Sequence, residues 1–349
     1  FENNVVVNAY YMGAYFIYLN SPIIRGNIFD VRNTAYTSSS YGLRTSYFRD
    51  SSRIEQNKVY GKTYGYYANS VIGSSSIRPR IANNVIVSHQ TMNNSCYGLY
   101  TVSNQYLDIS HNSVFTVNPN ASSGYTVYNF YNGSSTYNTV RNNVFRDSSS
   151  ASSSTYAAYL APSTGTTFDY NNYLVENVST NIAYHSSYGT FTRTNFNSFR
   201  NSNYGGANSL NINPDWRSMY DLRHRNLALN VGLNLLGTVP VDITGRVRAT
   251  PVTLGAHEYK LVPNDVGVVA GLPNPVCPGV TTMSAELRNF GINNINNVSI
   301  NWSVNGLPQT PFIWTGTLAP GNSTSGIALG TYNYVVGNSY TVLMYTSNP

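Results

Sequence analysis

The side chains able to move protons, attack a carbonyl or hold a metal are few in this 349-residue chain: 14 acids, five histidines and two cysteines. Up to residue 261 the acids are Glu2, Asp30, Asp50, Glu55, Asp108, Asp147, Asp169, Glu176, Asp215, Asp221, Asp242 and Glu258, and no two form a D-x-D or E-x-D pair. Glycoside hydrolysis needs two carboxylates about 5–9.5 Å apart. Polysaccharide lyases need an acid cluster for calcium or a basic residue beside the substrate. Neither pattern stands in the spacing. His89, His111, His185, His224 and His257 share no common register, so a metal site or a histidine base has no support. Cys96 and Cys277 lack a C-x-x-C partner, and Cys96 reads as a small buried hydrophobe. The expectation is no catalytic residue, no metal and no cofactor.

What would have to position any site is a repeat. The template apolar-x-x-Asn-x-apolar occurs at Phe1/Asn4/Val6, Ile24/Asn27/Phe29, Ile54/Asn57/Val59, Ile81/Asn84/Ile86, Ile109/Asn112/Val114, Val140/Asn143/Phe145 and Phe168/Asn171/Tyr173, its asparagines 23, 30, 27, 28, 31 and 28 residues apart. A degenerate eighth copy stands at Asn195 in FTRTNFNSF. A period of this size signals a solenoid, a propeller or an array. Between the asparagines runs a second motif built on tyrosine and a small residue: YMGAY, SYGLR, TYGYY, CYGLY, YTVY, YAAY and NIAY, with Gly13, Gly42, Gly65, Gly98, Thr126, Ala157 and Ile182 at the centre.

Both motifs are short alternating segments bounded by Ser, Asn, Gly and Thr, which is how strands and turns read. No stretch sustains a 3.6-residue period. The expected fold is therefore all-β, a parallel coil in which each strand stacks on its counterpart about 4.8 Å away, eight coils spanning roughly 38 Å. In such a coil Asn4, Asn27, Asn57, Asn84, Asn112, Asn143 and Asn171 form a structural ladder at one corner. Asparagine tolerates the left-handed backbone of a tight corner, and its amide donates to one neighbouring coil while accepting from the other. The apolar residues at −3 and +2 then point into the bore.

Tyr15, Tyr67, Tyr100, Tyr128, Tyr159 and Tyr184 stand two residues from the small position or its equivalent. With strict period-2 alternation both would share one side, and the core is the favoured side. Facing outward, the same tyrosines would make a stripe suited to stacking sugars.

With 10 % charged and 41 % hydrophobic residues, the composition opposes disorder. No apolar run of 18 residues suggests membrane insertion, and neither a Lys/Arg-rich run nor a nucleic-acid motif is present. Charge is uneven: residues 1–261 hold 19 of the 20 Lys+Arg and 12 of the 14 Asp+Glu, a formal +7, while residues 262–349 carry Arg288 against Asp265 and Glu286. Arg25, Glu55 and Arg141 all fall at −2 from a repeat asparagine, on one coil edge, and read as a solvated charge row. Phe1 already lies inside a repeat, which suggests an internal piece of a longer chain with further domains.

From about residue 200 to 261 the alternation gives way to loops. Asn213-Pro214, Asp221-Leu222, NLALNVG (226–232), Asp242-x-x-Gly245-x-x-Arg248 and Gly255-Ala256-x-Glu258-Tyr259 resemble the closing segment of right-handed parallel β-helix proteins from bacterial cell surfaces, particularly those of the Bacteroidota. The resemblance implies a segment that forms the last coils and caps the open end, and export through the type IX pathway. Residues 262–349 then form a second unit with short strand candidates and an Asn-Gly hairpin at VNGLPQ (304–309). Asp265, NFG (289–291) and INWSVNG (300–306) resemble Ig-like, CARDB-type adhesion modules. Trp302 and Trp314 read as core residues of that sandwich.

These readings converge on a non-catalytic secreted protein of the bacterial cell surface, an adhesin or stalk, with cell-surface or extracellular glycans as expected partners and no nucleic acid. The alternative is a polysaccharide-degrading enzyme, a lyase or glycoside hydrolase of β-helix type.

Overall fold

The computed structural model describes residues 1–33, 35–122, 124–150, 154–176, 181–202, 204–259, 262–271 and 278–349. It divides into two compact units, Phe1–Tyr259 and Lys260–Pro349.

The first unit is a parallel β-solenoid of about six turns. Each turn contributes one short strand to each of three sheets: a first of six strands (Ile23–Arg25 to Thr167–Asp169), a second of seven (Val5–Val7 to Asn172–Val175) and a third of eight (Met12–Ile17 to Gly189–Thr192). Equivalent residues of successive turns are register partners, as in Ile81 with Ile109 and Ile86 with Val114. The repeat template therefore sits at the corner between the first and second sheets. Its apolar members fill the bore: Ile54, Val59, Ile81, Ile86, Ile109 and Val114 are fully buried in one continuous core. Burying each such side chain is worth roughly 1.5–3 kcal/mol.

The corner is built differently from the sequence expectation. The left-handed residue is not the ladder asparagine but the one before it: Gln56 (φ 57°), Asn83 (φ 55°), His111 (φ 55°), Asn142 (φ 57°). One left-handed residue bends the chain from the first sheet into the second, and the next residue turns its side chain along the stack.

The eighth copy of the template is also not a ladder position. Asn195 is the N-cap residue of a short helix, Phe196–Asn201, and its Oδ1 accepts from the Thr192 amide. That helix, with the antiparallel strand Gly189–Thr192, closes the end of the bore. Phe199 is fully buried, 5.3 Å from the Tyr173 ring and 5.1 Å from Phe191.

The closing segment first adds one more rung to the coil, Leu210 pairing in parallel with Asn172. It then runs back along the flank of the solenoid and covers the outer face of the second sheet. Trp216, Leu222, Leu229, Leu254 and Ala256 pack on Val85, Val87, Phe115, Val117 and Val144. The left-handed corner residues anchor it: Gln56 Nε2 donates to Asp242 O (2.8 Å), Asn83 Nδ2 to Val241 O (2.7 Å) and Asn142 Nδ2 to Leu233 O (2.8 Å). Arg248 is buried, paired with Glu258 (2.9 Å) and donating to Asn83 Oδ1 (2.6 Å). The second sheet carries apolar residues on both faces, so its outer face requires such a cover.

The second unit is antiparallel and compatible with a β-sandwich. One sheet holds Val266–Ala270, Gly279–Asn289 and Ser323–Tyr334; in the other, Ile295–Val304 pairs with Leu307–Pro308, Phe312–Leu318 and Val342–Ser347. Met283, Leu287, Val298, Ile300, Trp302 and Leu329 share its core. Trp302 is buried there and donates to Thr310 O at 3.0 Å, while Trp314 packs on the core half-buried. Asn305 (φ 50°) and Gly306 (φ 80°) form the hairpin turn, with the positive φ at both positions that a type I′ turn demands.

Candidate binding face

The seven repeat asparagines are stacked at one corner. Asn57 shows the pattern: its amide N and its Nδ2 both donate to Asn84 Oδ1 (3.0 Å each), and Nδ2 also donates to Ile24 O (2.9 Å). Asn84 repeats this with Asn112 and Ile54, Asn112 with Asn143 and Ile81, and Asn143 with Asn171 and Ile109. Asn4 and Asn27 begin the row, and at its far end the Asn171 amide donates to Ser209 Oγ (3.1 Å). Every member from Asn27 onward is buried. The row holds the corner together and presents nothing to a ligand.

The acids are held one by one. Glu55 lies between Arg25 (3.5 Å) and Arg80 (3.4 Å), Asp108 pairs with Arg78 (2.6 Å), Glu176 with Arg146 (2.6 Å) and Asp30 with Arg32. Asp147 is buried, accepting from Thr116 Oγ1 and from the Ser149 amide (3.0 Å). Desolvation pushes its carboxyl up to about 6 against the hydrogen bonds that lower it. The row at −2 reads Arg25, Glu55, Ala82, Ser110, Arg141, Asp169, so its charges are interrupted in the middle.

His111 lies buried beneath the closing segment, which itself carries the buried His224 and the half-buried His257, and burial lowers all three, His224 to about 3 and His257 to about 4. His89 Nδ1 meets Tyr220 Oη at 2.7 Å, and His185 packs on Tyr204. Among the described residues no three metal-ligating side chains come together. Cys96 is a buried free thiol beside Ser88, pushed up to about 12 by burial; Cys277 lies outside the described residues.

The surface with binding chemistry is the third sheet. The tyrosines favoured for the core stand on its outer face. The reason is a break in alternation that recurs in each turn. Tyr64 faces out, Gly65 and Tyr66 both turn inward, and Tyr67 faces out again, so two outward tyrosines stand three residues apart. Register pairs pass over the small residue in turn after turn: Tyr97 pairs with Tyr64 and Leu99 with Tyr66, with no pair at Gly98. Two aromatic columns result. One runs Tyr41, Tyr64, Tyr97, Tyr128, Tyr156, with centroid spacings of 4.7, 4.6, 5.7 and 6.0 Å. The other runs Tyr67, Tyr100, Tyr131, Tyr159, Tyr184, at 5.3, 4.1, 5.6 and 4.5 Å. Edge contacts such as Tyr97–Tyr100 (5.4 Å, 77°) tie the columns together.

Two sequence assignments shift as a consequence. Tyr131, not Tyr128, continues the second column, and the small position of that turn is held by Asn129, not Thr126. Asn129 fits there because its amide donates to Val114 O (3.1 Å) and Arg146 O (2.7 Å). Arg44 takes the tyrosine place one turn below Tyr67, its guanidinium 4.7 Å from the Tyr15 ring, 5.2 Å from Tyr41 and 5.3 Å from Tyr67.

Stacking covers most ring faces, although Tyr128 is tilted by 59° and 54° against its column neighbours and stacks on Tyr159 instead, so the columns leave to solvent mainly ring edges and hydroxyls with one cation among them. Desolvation, with neighbouring phenols adding to it, raises Tyr64, Tyr100 and Tyr128 above the ordinary phenol range. Their hydroxyls stay neutral at physiological pH and both donate and accept. No helix among the described residues is long and apolar enough to cross a membrane. No protein-family model, curated protein or solved structure matches this chain.

Proposed function

We propose that this chain is a non-catalytic binding segment of an extracellular bacterial surface protein, and that the tyrosine band of its third sheet takes an extended glycan lying along the solenoid axis. The observation that carries the reading is the double column. Four half-buried tyrosines in one column, whose fifth member Tyr156 is buried, and five in the other offer a periodic polymer a repeated donor, acceptor and C–H edge. Single contacts of this kind are weak, and a row of them gains affinity by acting together. Arg44 adds a charged anchor for an acidic chain. The motifs of the flanking segment, Asp242-x-x-Gly245-x-x-Arg248 and Gly255-Ala256-x-Glu258-Tyr259, support export by the type IX route, and the antiparallel second unit supports a CARDB-like module in such a protein.

The test is retention of the 349-residue chain on immobilised neutral and acidic polysaccharides, with Tyr100→Phe and Tyr131→Phe as variants. These keep both rings and remove two hydroxyls, so binding should weaken by about 0.5–1.5 kcal/mol per site. Unchanged retention in the double variant would remove the tyrosine band as the binding surface. Release of new reducing ends or unsaturated sugars from the same polysaccharides would make the chain an enzyme and overturn the non-catalytic reading.

A further inference from the structure

A cavity of about 330 Å³ opens on the first sheet, on a different face from the tyrosine band, where the closing segment folds over it at Leu235 and Thr238. Three arginines line it, Arg78, Arg80 and Arg141, against one carboxylate, Asp108. Two of the three are spoken for. Arg78 Nε donates to Asp108 (2.6 Å) and its Nη2 to Tyr137 O (2.9 Å), while Arg80 reaches Glu55 and the carbonyl of Thr238. Arg141 is half-buried in the wall and makes no ion pair among the described residues. Its register partner in the next turn, Asp169, is turned to Asn208, whose amide N and Nδ2 both donate to it at 2.9 Å. On its other side the register partner is Ser110, a neutral hydroxyl that also lines the cavity.

We infer that this cavity is a binding site for one oxyanion on a small polar body, a uronate or sulfated sugar unit. A guanidinium fork matches a carboxylate or sulfate in two parallel hydrogen bonds. Here the fork comes without a protein acid to occupy it. Ser110 supplies a hydroxyl beside it, while the Thr238 hydroxyl already donates to Leu235 O (3.1 Å), and Leu235 supplies an apolar wall. The volume stands at the small end of ligand pockets, matching a monosaccharide unit more closely than an oligosaccharide. The site does not depend on the tyrosine band, and the two are separable by mutation.

The experiment is titration of the full chain with galacturonate, glucose 6-sulfate, inorganic sulfate and neutral galactose, followed by chemical-shift changes and calorimetry. The acidic sugars should bind and galactose should not. Arg141→Ala should weaken them about tenfold or more through loss of a charge-assisted pair, with Arg141→Lys intermediate because it keeps charge without the fork. Tyr100→Phe should leave this binding unchanged. Circular dichroism of the arginine variants checks that the fold persists. Inorganic sulfate binding as tightly as the sugars would reduce the site to a bare anion site and overturn the sugar assignment. Equal binding by galactose, or affinity unaffected by Arg141→Ala, would overturn the site altogether.

Discussion

At the scale of single residues, the ladder shows why one polar residue repeats inside an apolar bore. Asn84 donates to Ile54 O and to Asn112 Oδ1, while its own Oδ1 accepts both the amide N and the Nδ2 of Asn57. Asn84→Ala removes one side chain and strands groups in both neighbouring turns. The expected loss is about 1–3 kcal/mol, read as a drop in the denaturation midpoint, and a loss within 0.3 kcal/mol would mean that water replaces the ladder. The corner was legible in sequence because this role admits one residue type: a side chain that donates and accepts at fixed spacing, between two buried apolar neighbours. The residue before it was not legible. Gly26, Gln56, Asn83, His111, Asn142 and Tyr170 share a left-handed backbone and no chemistry, and three of them, Gln56, Asn83 and Asn142, anchor a segment more than 80 residues away in sequence.

At the scale of strands and segments, the third sheet explains what sequence alternation could not. Period 2 put tyrosine and glycine on one side, but the paired inward turn of Gly65 and Tyr66 shifts phase within each strand. The glycines leave a trace of this. A Cβ at Gly98 would stand 2.3 Å from Asn129 O and 2.6 Å from a Val114 methyl. Gly98→Ala should therefore cost about 1–3 kcal/mol by overpacking and reduce the near-ultraviolet circular dichroism of the stacked tyrosines as the columns separate. Unaltered stability would show that the strand is free to give.

The course of the closing segment beyond Leu210 was not legible in sequence for another reason: its anchors are hydrogen bonds to corner residues of several turns, which leave no periodic mark. The histidines in and beneath it predict its weak condition. The folded His224, His257 and His111 hold protons less readily than the unfolded chain, so their contribution is complete above about pH 6.5 and is lost as pH falls toward 4. Asp147 runs the opposite way. Its folded carboxyl lies at about 6, above the usual 3.8, so its contribution is complete below 3.8 and lost as pH rises through 6. Three imidazoles outweigh one carboxyl. Melting temperature should fall between pH 6.5 and 4.5, with hydrogen-exchange protection relative to the unfolded chain lost first across 204–259, and His224→Phe should shrink the fall. A melting temperature that is flat or higher at pH 4.5 would contradict this.

At the scale of the whole molecule, charge is divided between two units that each bury a core of their own. Residues 1–261 carry a formal +7 and residues 262–349 a formal −1. The acidic glycan proposed as partner would therefore be drawn to the solenoid by its field, with no comparable attraction from the second unit. The attraction between exposed charges is screened over about 8 Å at physiological salt, whereas hydrogen bonds along the tyrosine band are much less sensitive to it. Raising salt should weaken binding of an acidic polysaccharide steeply and that of a neutral one little. A separately expressed 262–349 fragment has two antiparallel sheets and the Met283, Ile300, Trp302 core with which to fold, and it should show negligible affinity for either polymer. Binding measurements on the fragment and the full chain across a salt series decide between charge and shape. Equal affinity in the fragment would move recognition out of the solenoid. Salt-independent capture of the acidic polymer by the full chain would assign recognition to the aromatic band alone, with the arginines serving only to hold the coil edges.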